Sequence, residues 1–273
     1  MEGIMKYSTS PPMSRCASPL SVRSSSSSLP MPVTYRQDCF GATTKFYKYL
    51  RKLLKFDQMD FEFASWQMIY LFTSPQKVYR NFKSRKQTKS QFARDDPAFL
   101  VLLALWLCVS SIGFAIVLGL GFIQFTKFLL YVIFVDCIGM GILVATVSWV
   151  ITNKYLRIDH SQDVEWGYAF DIHLNAFFPP LFILHFVQLF LYNILIGHDY
   201  FFSRFVGNTF WLIAVSYYIY ITFLGYASVE ILQNTNTILQ AAMPVTVLIY
   251  IVTLAAGINM SQEMMRFYHE RVV

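Results

Sequence analysis

With 273 residues, 55% of them hydrophobic, 18% aromatic and only 14% charged, and a mean hydropathy of +0.44, the chain has too little polar surface for a soluble domain of its size. The net charge of +6 is uneven: residues 1–97 hold 16 Lys and Arg against 7 Asp and Glu, and residues 98–273 hold 6 against 9. A basic arm therefore precedes a body nearly free of charge, and a membrane protein is the first class to consider.

Residues 1–34 are rich in Ser and Pro, contain the run SSSSS and lack apolar periodicity, which predicts a disordered tail. The opening MEGIMKYSTSPP has no apolar core of signal-peptide length, so the first spanning segment is expected to direct insertion. The four cysteines, Cys16, Cys39, Cys108 and Cys137, form no disulfide framework. Cys39 stands beside a basic helix and is a lipidation candidate.

Residues 35–97 form a basic amphipathic region. From Lys45 onward, Phe46, Leu50, Leu53 and Leu54 recur at helical spacing while Lys45, Lys48, Arg51, Lys52 and Lys55 take the other faces. FEFASWQMIYLF (61–72) is too short to span, and its Trp66 and Tyr70 suit either a membrane interface or packing on the body. Lys77, Arg80, Lys83, Arg85, Lys86, Lys89 and Arg94 then crowd the approach to the first span. They read as a cytosolic patch for anionic lipid. RNA is the alternative ligand for the same cations, with Tyr79, Phe82 and Phe92 available for stacking.

Five apolar runs follow, near 98–120, 128–151, 176–196, 206–229 and 238–260, each reaching the roughly 20 residues that a hydrocarbon core demands. Backbone groups in lipid must be satisfied internally, so the runs are helices and the expected fold is all-α, a polytopic bundle over residues 98–260. Asp96 and Pro97 suit the N-cap and first position of the first span. Lys and Arg counting gives 18 on the side of the arm and 4 on the other, which predicts a cytosolic amino terminus and a lumenal tail at 261–273. The sequon at Asn259 lies at the end of the last span, too close to the bilayer for glycosylation.

Within the spans, Asp136 is the leading functional residue, because a carboxylate at that depth must be neutralised or paired. His185 is its candidate partner, with Gln188 and Asn193 on the same helix. The pair suits a small transporter or, alternatively, polar glue between helices. Gly139, Gly141, Ala145 and Gly225 favour close helix approach, Pro179, Pro180 and Pro244 imply kinks, and Tyr217, Tyr218 and Tyr220 read as packing.

The stretch after the second span, NKYLRIDHSQDVEWGYAFDIHLNAFFPP, is far more polar than its surroundings. Asp159, His160, Asp163, Glu165, Asp171 and His173 match no zinc spacing, and a docking surface built on Asp163, Glu165, Trp166 and Tyr168 is the preferred reading. No phosphate loop, nucleophile elbow or carboxylate dyad is recognisable. No enzyme activity, metal or cofactor is expected.

The stretches FTSPQKVYRNF, RKQTKSQFARDDPAFLVLL, ITNKYL, DVEWGYAFDIHLNAFFP, VGNTFWL and YYIYITFLGY resemble those of the uncoordinated-50 homologue family of Golgi membrane proteins, over roughly residues 60–270. The resemblance implies five spans of Yip-type architecture, a cytosolic amino terminus and residence in the Golgi, with some members at the inner nuclear membrane. It also implies support for assembly and surface delivery of nicotinic acetylcholine receptors, a link to Arf guanine-nucleotide exchange factors and, in one relative, RNA binding. It carries over no catalytic residue.

Overall fold

The computed structural model describes residues 47, 49–80, 93–94, 96–158 and 163–273, and every regular element among them is helical. The tail at 1–34, Cys39, Phe82, Phe92, Asp159, His160 and the cations Lys83, Arg85, Lys86 and Lys89 lie outside the described residues. A short helix α1 (Phe61–Thr73) precedes five helices long and apolar enough to cross a membrane: α2 (Ala98–Leu118), α3 (Phe122–Leu156), α4 (Trp166–Ile196), α5 (Phe201–Ala227) and α6 (Asn236–Ala255). A last helix, α7 (Met260–Val272), closes the chain. The arm side of the bundle is called the arm face below, and the side of the 119–121 and 197–200 turns the tail face.

Several boundaries differ from the sequence reading: α3 extends beyond the predicted run at both ends, α5 starts five residues early, and two further shifts bear on the site. α4 begins at Trp166, ten residues before the predicted run, because Asp171, His173 and Asn175 are buried helix residues with partners. The last span stops at Ala255, where Gly257 turns the chain at φ +72, and the presumed tail folds back as α7. At the first boundary Asp96 Oδ1 accepts from the Ala98 amide while Oδ2 accepts from the Asp60 amide, so one carboxylate joins the starts of α1 and α2.

α4 is the axis of the bundle. A Cβ on Gly141 of α3 would stand 2.8 Å from the His173 ring, one on Gly225 of α5 2.8 Å from Ile172, and one on Gly113 of α2 2.8 Å from Leu189. Three spans thus approach α4 closely through glycine. Pro179 and Pro180 sit inside α4 without breaking it, and the helix widens into π turns at Ile183–Val187 just beyond them.

Two helices too short to span, α1 and α7, pack against this axis from opposite faces. Phe72, at the inner end of α1, meets Phe178 and Phe182 in the middle of α4 and Tyr217 of α5. Trp106 of α2 joins the same aromatic group through Phe178, Phe182 and Phe186. Carbonyls at a helix end inside a bundle need donors, and the Tyr217 hydroxyl donates to Leu71 O at 2.8 Å. On the tail face, Asn208 accepts from the Met260 amide at 2.9 Å and donates to Ile258 O. Asn259 caps α7, accepting from the Ser261 amide and donating to Ile196 O.

Tyr217→Phe removes the donor at the inner end of α1 and is expected to cost about 1–3 kcal/mol of stability. Hydrogen exchange in detergent should then rise in residues 61–80 and stay unchanged in 260–272. Asn259, 4% exposed and committed to its cap, is expected to carry no glycan, so glycosidase treatment leaves the mobility unchanged. Asn259→Ala is expected to cost about 1–2 kcal/mol through loss of the cap, read as a lower midpoint of thermal unfolding.

Candidate functional site

On the arm face, the approach to α2 is fastened to the first turns of α4. The Ala93 amide donates to Glu165 Oε2 at 3.2 Å and the Arg94 amide to Asp171 Oδ2 at 2.6 Å. The Arg94 guanidinium bonds the Asn175 amide oxygen and lies 4.3 Å from the Phe99 ring centroid. Arg94 is therefore a buried structural cation and not a member of an exposed patch. Lys77 and Arg80 are exposed, and Lys77 stands over the Tyr70 ring at 5.4 Å. Tyr79 is buried beside Arg94, and its burial pushes the phenol above its usual range.

The segment between α3 and α4 is fastened as well. Ile158 donates to Ile231 O at 2.9 Å and Gln233 to Leu156 O at 2.8 Å, an antiparallel contact with the turn between α5 and α6. Asp163 pairs with Arg157, and the Val164 amide is held by Asn153 Oδ1. Trp166 stacks on Phe170 at 5.6 Å and donates to Thr146, with about a third of its surface exposed. Tyr168 departs from the docking expectation: it is 1% exposed, and its hydroxyl lies 2.8 Å from Gly225 O and 3.0 Å from Ser228 Oγ, which locks α4 to α5. Asp163, Glu165 and Trp166 remain at or near the surface.

Towards the tail face, Asp136 and His185 do not bond each other. Tyr268 of α7 stands between them, donating to Asp136 Oδ2 at 2.8 Å and meeting the His185 ring edge-on at 6.4 Å. Burial first, and then Asp136, push the Tyr268 phenol well above 10, so it remains a donor at neutral pH. His185 Nδ1 lies 3.3 Å from Ser110 Oγ, and the ring packs on Phe114. Both Asp136 and His185 fall in π turns, Val132–Gly139 and Ile183–Val187. A second histidine, His173, bonds the Tyr218 hydroxyl at 2.8 Å.

Sequence reasoning missed Tyr268, because FYHERVV follows the last span and carries the charges of a solvated tail. Its apolar residues Met264, Met265, Tyr268 and Val272 at helical spacing were the available signal.

A family model described as the UNC-50 family matches residues 49–269. A protein named unc-50 homolog from Drosophila melanogaster is 58% identical over 269 residues, covering 98% of each chain. The unc-50 homolog of Homo sapiens is 59% identical over 233 residues, covering 85% of this chain and 90% of the relative. That of Danio rerio is 57% identical over 235 residues with the same coverage. No solved structure matches.

Burial separates Arg94 from Arg80, which the sequence grouped together. Arg94→Gln should lower stability by on the order of 2 kcal/mol, since it removes charged hydrogen bonding in a buried cluster. Arg80→Gln should leave the unfolding midpoint in detergent where it is.

Proposed function

This chain belongs to the UNC-50 family, and on that premise we propose that it is a non-enzymatic Golgi membrane protein of vesicular trafficking. In this reading it recruits cytosolic factors of the Arf exchange factor type and supports assembly and surface delivery of nicotinic acetylcholine receptors. The arm face is cytosolic and α7 is lumenal, as the Lys and Arg asymmetry of the sequence supports.

The observation that carries the reading is the construction of the arm face. Three separate stretches are fastened through their backbone: the amides at 93–94 donate to the Glu165 and Asp171 carboxylates, and 156–158 and 231–233 bond each other. A surface held in this way loses little entropy when a partner docks. Asp163 and Trp166 project from it, an acid and an aromatic ring of the kind that anchor interfaces. In the arm before the first span, Trp66, Ile69 and Leu54 are exposed together with Lys77 and Arg80, a combination that suits an anionic leaflet. RNA on the same cations is the weaker alternative, since the burial of Arg94 and the seat of Lys77 on Tyr70 reduce what is free to meet phosphates.

Replacing Asp163, Glu165 and Trp166 with alanine is expected to reduce recruitment of an exchange factor or coat component, and receptor delivery with it, while Golgi residence persists. Crosslinking and mass spectrometry on Golgi membranes reads the first, and surface labelling of the receptor the second. Unchanged recruitment and delivery would sink the docking proposal, and crosslinks from Lys77 and Arg80 to RNA would favour the alternative.

A further inference from the structure

A cavity of about 500 Å³ lies between α3, α4, α5 and α7, within the usual range for small-molecule sites. Three helices each give it one full face: α4 from Phe177 to His185, α5 from Trp211 to Tyr218, and α7 from Met260 to Tyr268. α3 closes the fourth side with Asp136 alone. The lining is almost wholly apolar and rich in aromatic rings, among them Phe177, Trp211, Phe267 and Tyr268.

The two carboxyl groups at this cavity are partnered unevenly. Asp136 Oδ2 accepts from Tyr268, whereas Oδ1 has no protein partner among the described residues, and no Lys or Arg lines the wall. The other carboxylate at the rim, Glu263, is paired outward with Arg266 at 3.2 Å. His185, 7% exposed, presents its ring to the cavity while Nδ1 rests near Ser110. A carboxylate at this depth is costly unless a donor or a cation meets it, and aromatic faces attract a desolvated cation.

We infer that this cavity binds a single-chain amphiphile bearing a protonated primary amine, a lipid of the long-chain-base type, with its ammonium on Asp136 and its chain along α4 and α5. The ammonium supplies the hydrogen bonds that Asp136 Oδ1 and the free edge of His185 accept. The aromatic lining faces the cation, and the apolar walls take the tail. A fatty acid of the same length would set one carboxylate against another, and a fatty alcohol would leave Asp136 without a counter-charge.

The test uses the full chain in nanodiscs of zwitterionic lipid and three photoactivatable, clickable probes of equal length: a long-chain amine, a fatty acid and a fatty alcohol. The amine should crosslink to α4, α5 and α7 residues of the cavity, and excess unlabelled amine, but not alcohol, should displace it. Asp136→Asn should weaken amine labelling about tenfold, the effect of losing one charge-assisted bond. Val215→Phe, which fills the cavity without touching Asp136, should weaken it as well, and decides alone if the Asp136 variant does not fold. Equal labelling by all three probes, or amine labelling unchanged by the variants, would overturn the inference. Because the measurement needs no cytosolic partner, its failure leaves the recruitment reading standing, and the reverse holds too.

Discussion

A peptide group inside a membrane protein has no water to turn to, and this fold is arranged around places where the chain stops being helical among apolar neighbours. α1 ends against the middle of α4, and Tyr217 meets its last carbonyls. α7 starts beside the end of α4, where Asn208 and Asn259 meet its first amides. Tyr217 and Asn208 are side chains from one helix completing the backbone of another, and Asn259 caps its own helix while donating to the last carbonyl of α4, so the short helices are integral to the bundle. A chain with only five spanning helices would leave these side chains as buried polar groups with nothing to bond.

The same accounting explains the polar residues of α4. Asp171, His173 and Asn175 look like loop residues in sequence, and they are polar because α4 must hold Arg94 and Tyr218 while staying close to Gly141 and Gly225. Glycine on the neighbours and hydrogen bonds along α4 serve one purpose. They bring backbones near enough that apolar packing, which gains little over lipid contact, gives way to short-range polar fit.

This determines what was legible beforehand. The five spans were readable because the hydrocarbon length imposes a run of apolar residues whatever the fold. The pairing of Asp136 was readable as a need, since the cost of a carboxylate is local to its own helix. The identity of its partner was not: Tyr268 lies 132 residues away on a helix whose charges mimic a solvated tail. Arg94 and Tyr168 failed in the same way, because spacing groups them with exposed neighbours while tertiary packing buries them. Glu165 was assigned to the surface, and its bond to the Ala93 amide was invisible for want of any local pattern.

Asp136 then bears on whether the polar residues of the spans serve only as glue. The buried contacts of Arg94, Tyr168 and Asn208 each join protein to protein. Asp136 gives one oxygen to Tyr268 and turns towards a cavity whose walls on three helices are mostly apolar. A residue needed only to hold α7 in place would do so as well with an uncharged amide accepting from Tyr268, and without the cost of a carboxylate facing an apolar wall. The second carboxyl oxygen of Asp136 is the feature that a role as glue leaves unused, and the cationic ligand inferred for the cavity would give it a partner.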